Sequence, residues 1–222
     1  MELRTRNWAQ PDNGFAFHNW WHTALYHLDQ GRPQRALEIY GAGIRPQPSE
    51  LRVTMLDAAA LLWRMHLQRL DVGKRWEELA ASYAKGDENG FYAFNDMHAM
   101  MAFVATGRGQ EAASLLRAVE ASAREGNTNG RMAREAGLVI VRAVEAFGRE
   151  DYAEVVSLLA PLRDTARIIG GSNAQRDVLE RTLIEAALRA GDKALARTLA
   201  EARAVQKPRC PFSQELRNRA LQ

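Results

Sequence analysis

A single cysteine, Cys210, is present in 222 residues. No disulfide can form within the chain, and a reducing compartment is the expectation. That thiol lies in a loop between Pro208 and Pro211, where a structural or incidental role fits better than that of a nucleophile. Long apolar runs are also missing. Ala58-Ala59-Ala60-Leu61-Leu62-Trp63 is among the longest, far short of the ~20 residues that a bilayer span takes. The opening MELRTRNWAQ carries no apolar stretch of the secretory kind. The expectation is a cytoplasmic protein with no membrane partner. Nor does one sign of charge dominate: the formal net charge is +3, which argues against nucleic acid as a partner. No segment alternates with period two, so no sheet is expected.

What is present suits a folded helical chain. Apolar side chains make up 46% and charged ones 26%, enough for one elongated domain spanning residues 1–222 and too apolar for disorder. Charge is uneven along it. From Lys193 onward seven basic residues face Glu201 and Glu215, which leaves +5 there and −2 before it. That end reads as a solvated face or as a docking patch for an acidic partner.

One local pattern recurs: an apolar helical stretch, a glycine, then a second amphipathic stretch. The glycines are Gly31, Gly73, Gly107, Gly148 and Gly191, at spacings of 42, 34, 41 and 43 by subtraction. Five residues after them stand Ala36, Glu78, Ala112, Ala153 and Ala196. Glycine supplies the left-handed stop of a first helix. A small residue then lets the second helix approach closely. A spacing near 34 is the tetratricopeptide period. The expected fold is therefore all-α: a tetratricopeptide-like superhelix, or α-solenoid, of about five antiparallel helix pairs and a short C-terminal helix. First helices are expected near 16–30, 50–69, 91–106, 131–147 and 173–190. Their partners are expected near 33–43, 74–85, 109–125, 151–164 and 193–206, with a last helix near 212–221. Breaks fall at RPQPSE, at KGDENG from Lys85, at EGNTNG and at IIGGSN. The first helices should line one open concave trough. Phe15, Phe17, Trp20 and Trp21 make an apolar N-terminal end, which suggests a homodimer or a preceding segment packed there.

Four groups of polar residues fall on those first helices. In HNWWH, His18 and His22 are i, i+4 and share a face, with Asn19 beside them. They suit packing hydrogen bonds, a metal ion or acid–base work, although the glutamate of a zinc-protease helix is absent. In MLDAAALLWR, Asp57 lies in an apolar stretch seven residues before Arg64. An acid there needs an ion pair or a histidine partner, or else has a functional role. In FNDMHAMMAF, Asn95 and His98 are i, i+3 with Asp96 between them, and Met97, Met100 and Met101 read as core. In GGSNAQRD, Ser172 and Gln175 fit a capping box. The alternative is an anion site at that helix start beside Arg176. The lysine and spacing of a nucleotide loop are missing, and no cofactor is expected.

These segments carry a family resemblance. HNWWHTALYHLDQGRPQRALEIYGAGIRP, MLDAAALLWR followed by DVGKRW, FNDMHAMMAF, IGGSNAQRDV and KPRCPFSQELRNRA resemble, in order and spacing, the tetratricopeptide repeat protein 38 family and its bacterial relatives. The resemblance implies degenerate tetratricopeptide repeats and no assigned catalytic residues. It also implies that this chain matches the C-terminal half of longer family members. The function expected is an interaction module that binds a protein segment or peptide on its concave face. The alternative is a metal- or small-molecule-binding enzyme using His18, His22, Asp57, Asp96 and His98.

Overall fold

Five helix stops of one geometry organise the chain. The computed structural model describes residues 5, 7–10, 13–86 and 89–222; Asp87 and Glu88 of the expected break after Lys85 lie outside them. All regular structure among the described residues is helical. The helices are α1 (Ala16–Asp29), α2 (Pro33–Ile39), α3 (Arg52–Leu67), α4 (Arg75–Ala84), α5 (Ala93–Ala105), α6 (Gly109–Ser122), α7 (Thr128–Met132), α8 (Leu138–Gly148), α9 (Tyr152–Leu159), α10 (Asn173–Ala190), α11 (Lys193–Gln206) and α12 (Pro211–Ala220). A π turn, Tyr40–Ile44, extends α2, and another, Ala133–Gly137, joins α7 to α8. A glycine sits at each. A Cβ on Gly43 would stand 2.4 Å from the Trp20 ring, and one on Gly137 would stand 2.6 Å from Ala93 Cβ, so both turns mark close helix approaches.

After α1, α3, α5, α8 and α10 the chain turns back through a left-handed residue and closes the same bond. Arg32 N–H donates to His27 O, Leu70 to Met65, Arg108 to Phe103, Asp151 to Ala146 and Asp192 to Ala187, at 2.9–3.0 Å. This is the Schellman stop. Gly31, Gly107 and Gly191 occupy the left-handed position, as expected. The other two stops correct the sequence reading. Arg69 (φ 56°) ends α3 and Glu150 (φ 60°) ends α8. Gly73 lies further along the loop to α4. Gly148 instead lets α8 pass close to α5, where a Cβ would stand 2.4 Å from Val104. The small-residue pattern shifts with the stops: Ala36, Ala112 and Ala196 are buried, Ala153 is exposed, and Val155 takes its inward place.

A side chain in the left-handed region costs roughly 1 kcal/mol relative to glycine. Arg69 and Glu150 are both exposed. Arg69→Gly and Glu150→Gly should therefore each stabilise the protein by about 0.5–1 kcal/mol, measured by urea unfolding. A loss of stability in both would mean that their side chains matter more than the turn.

The largest departure from expectation is the position of α10. Twelve of the sixteen residues of α3 are buried, so it is enclosed on nearly all sides, as a central helix must be. It packs against α1, α4, α5 and α10. Trp63 Nε1 donates to Thr182 Oγ1 at 3.0 Å, and Arg189 donates to Leu67 O at 2.8 Å. Thus α10 runs alongside α3 and fills space that an open trough would leave empty. At the other edge α12 reaches α1. The aromatic start is largely covered: Trp21 is buried, Trp20 packs edge-on against Trp8, and Phe15 is the exposed member.

Candidate functional site

The groups singled out on α1, α3 and α10 meet. On α1, His18, Trp21 and His22 share a face. The His18 ring stacks on Trp21 with centroids 5.3 Å apart, and His22 lies edge-on to His18 at 4.7 Å. Across from them, Asp57 projects from α3. His18 Nδ1–H donates to Asp57 Oδ2 at 2.8 Å. The Gln175 side chain of α10 lies near the same carboxylate and favours its charged form. Gln175 completes the expected capping box: its backbone N–H donates to Ser172 Oγ, and its Oε1 accepts from Ser172 N–H at 2.9 Å. One glutamine thus caps α10 and borders the acid of α3.

The electrostatics follow from burial. The Asp57 side chain is 2% exposed and that of His18 is 25% exposed. The bond to Asp57 raises the His18 pKa against the opposing effect of burial. Burial raises Asp57, while His18 and Gln175 pull it down. Burial and the neighbouring His18 lower His22. His18 is therefore a held imidazole with an oriented proton on Nδ1, able to act as an acid–base group or a ligand through Nε2. Asn19 lies next to it on α1, its carbonyl accepting from Thr23 Oγ1 at 3.0 Å.

Arg64 does not pair with Asp57 as its spacing allowed. It donates to Ala60 O and Ala174 O, both at 2.7 Å, and stands 5.7 Å from the Trp21 ring. Its carboxylate neighbour is Asp177, at 3.9 Å. Sequence reasoning missed Asp177 and named the residue before it. Arg176 staples its own turn, donating to Gly170 O at 3.0 Å, to Gly171 O and to Asn173 Oδ1 at 2.6 Å. Asp177 is a hub, accepting from Arg181 Nε at 2.6 Å, Arg203 Nη1 at 2.7 Å and Lys207 Nζ at 2.9 Å. Arg181 continues to Asp29 at 2.6 Å. The i, i+4 spacing of Asp177 and Arg181 was the available signal.

The α5 group stands apart. Asp96 Oδ1 accepts from Gly90 N–H at 2.9 Å and anchors the incoming loop. Burial pushes its carboxyl up to about 7. His98 donates from Nδ1 to Phe94 O of its own helix at 2.7 Å. Its Nε2 is buried without a hydrogen-bond partner among the described residues, and burial lowers its pKa to about 4. Asn95 is half-buried beside them. His98 therefore does not join His18 and His22, which corrects its place among the metal candidates. Among the described residues no three His, Cys, Asp or Glu side chains are grouped to hold a metal ion.

A cleft not foreseen from the sequence opens between α8, α9 and α10. It holds about 340 Å³, with an apolar floor of Ile140, Leu159, Leu162, Leu179 and Leu183. Arg163, Arg167 and Arg176 stand at its rim with Asp164 and Glu180. Glu180 is neutralised by Arg203 at 2.8 Å, so the rim is net basic. No family model matches the chain, and no solved structure matches it. No helix among the described residues is long and apolar enough to cross a membrane.

Proposed function

We propose that this chain is a tetratricopeptide-type interaction module that docks a short peptide segment, apolar with an acidic flank, in the cleft between α9 and α10. The cleft carries the reading. Its apolar floor takes side chains, and its arginines answer carboxylates with bidentate geometry. The recurring helix hairpins and the resemblance to tetratricopeptide repeat protein 38 support the module. The single cysteine fits a cytoplasmic setting. The docking surface moves from the trough expected between first helices, because α10 lies against α3.

The test is fluorescence anisotropy with two labelled peptides, one leucine-rich and flanked by glutamates, the other flanked by lysines. The acidic peptide should bind, and the basic one should not. Arg163→Glu with Arg167→Glu should weaken binding by about tenfold or more. Both arginines are exposed, so the fold should tolerate the change. Equal binding of the two peptides, or charge reversal without effect, would sink the proposal.

A further inference from the structure

We propose that His18 and His22 form a two-histidine binding site for a divalent transition-metal ion of the Zn²⁺ or Cu²⁺ kind, with Asp57 as the positioning residue. The inference stands apart from the cleft and rests on different residues.

Four observations converge. First, the two imidazoles sit one helical turn apart with ring centroids separated by 4.7 Å. Two imidazoles sharing an ion at bond lengths of about 2.0–2.1 Å place their centroids roughly 5 Å apart. Second, His18 gives its Nδ1 proton to Asp57 at 2.8 Å, which leaves the Nε2 lone pair as the ligand. This carboxylate–histidine arrangement is the one that fixes tautomer and ring direction in metal sites and raises ligand basicity. Third, Asp57 is itself fixed, its side chain 2% exposed on the central helix α3. Fourth, neither His18 Nε2 nor either nitrogen of His22 has a hydrogen-bond partner among the described residues, and both side chains are half-buried rather than enclosed.

The residues also set the class of ion. Two neutral imidazoles and no first-sphere carboxylate suit borderline ions and reject Ca²⁺ and Mg²⁺, which take oxygen ligands. With no third protein ligand among the described residues, water fills the remaining positions. The site is thus open and exchangeable rather than a closed structural one.

The experiment uses the tag-free chain of 222 residues. Calorimetric titration with Zn²⁺ should give one site, and Ca²⁺ should give none. With one equivalent of Cu²⁺, electron paramagnetic resonance should show hyperfine coupling to two imidazole nitrogens. His18→Ala and His22→Ala should each weaken Zn²⁺ binding by about tenfold or more and remove one nitrogen from the Cu²⁺ spectrum. Asp57→Asn should weaken Zn²⁺ binding by about tenfold while both nitrogens stay coordinated, a pattern that a purely structural acid would not produce. If Asp57→Asn does not fold, Asp57→Glu, which keeps the charge and displaces the carboxylate from His18 Nδ1, takes its place with weaker Zn²⁺ binding expected. Absence of Zn²⁺ binding in the wild type, or binding unchanged by both alanine variants, would overturn the assignment.

Discussion

Asp177→Asn should lower the stability of the protein by about 3–5 kcal/mol and its Tm by roughly 10 °C. Arg203 is 0% and Arg181 is 3% exposed, and both direct a charge-assisted bond at this one carboxylate. Lys207 adds a third such bond, and Arg64 stands at the edge of ion-pair distance. Asparagine keeps the shape and removes the charge. The cations then sit beside a neutral amide, and buried guanidinium groups cannot recover their hydration. Asp29 and Glu180 still hold Arg181 and Arg203, which keeps the loss from being larger. Burial by itself would raise the Asp177 pKa; the charges of Arg181, Arg203 and Arg64 and the bonds from Arg203 outweigh it and hold the group well below the ordinary carboxylate range. Its stabilisation is therefore fully present above the unfolded value near 4 and is lost as pH falls below it. The variant should lack that part of the acid dependence. Urea unfolding at pH 7 and pH 3.5 measures both effects, and a loss under 1 kcal/mol at pH 7 would show that the other acids suffice.

On α5, Asp96 and His98 should push the pH dependence of stability in opposite directions. The folded protein keeps the Asp96 proton up to about 7, whereas the ordinary value is 3.8. Stability from this group falls as pH rises from about 4 to 7, because the unfolded chain sheds the proton first. His98 takes up a proton only near 4, against an ordinary 6.5. Its contribution falls as pH drops from about 6.5 to 4. The two slopes largely cancel in the wild type, and single substitutions separate them. Asp96→Asn keeps an acceptor for Gly90 N–H and should gain about 2–3 kcal/mol at pH 7 and almost nothing at pH 4. His98→Leu, apolar and of similar volume, should gain about 2 kcal/mol over the wild type at pH 4.5 and little at pH 7.5. Thermal melts across this range give the comparison. Profiles of wild type and variants that run parallel would contradict the assignment of either group.

The helices were readable from the sequence because apolar periodicity is local information. Each of the five hairpins begins and ends within a few residues of its expected bounds, apart from α8, which is led in by α7 and a π turn. Two stops were misplaced for a physical reason. Arg69 and Glu150 adopt a conformation that sequence reasoning assigns to glycine, and the nearby Gly73 and Gly148 drew the assignment to themselves. A histidine partner for Asp57 is one of three readings the sequence leaves open, beside an ion pair and a functional acid, because a buried acid in an apolar helix demands a partner. Gln175 reads from the sequence as a cap and as a ligand-binding candidate, and its approach to Asp57 depends on α10 meeting α3. That meeting was not readable. Trp63 and Thr182 are 119 residues apart, and nothing in either segment alone specifies the other. Asp96 and His98 looked like site residues by type; each serves its own helix start instead.

The placement of α10 beside α3 governs how the molecule comes apart. Hairpins stacked in an open array can melt singly from either end, since each touches only its neighbours. Here the central helix depends on a segment more than a hundred residues later, and Cys210 approaches Asp29 O across a separation of 181. The last hairpin therefore cannot fray without uncovering Trp63 and Arg64. Melting should be all-or-none, and folding should be slowed by the entropy of bringing such remote segments together.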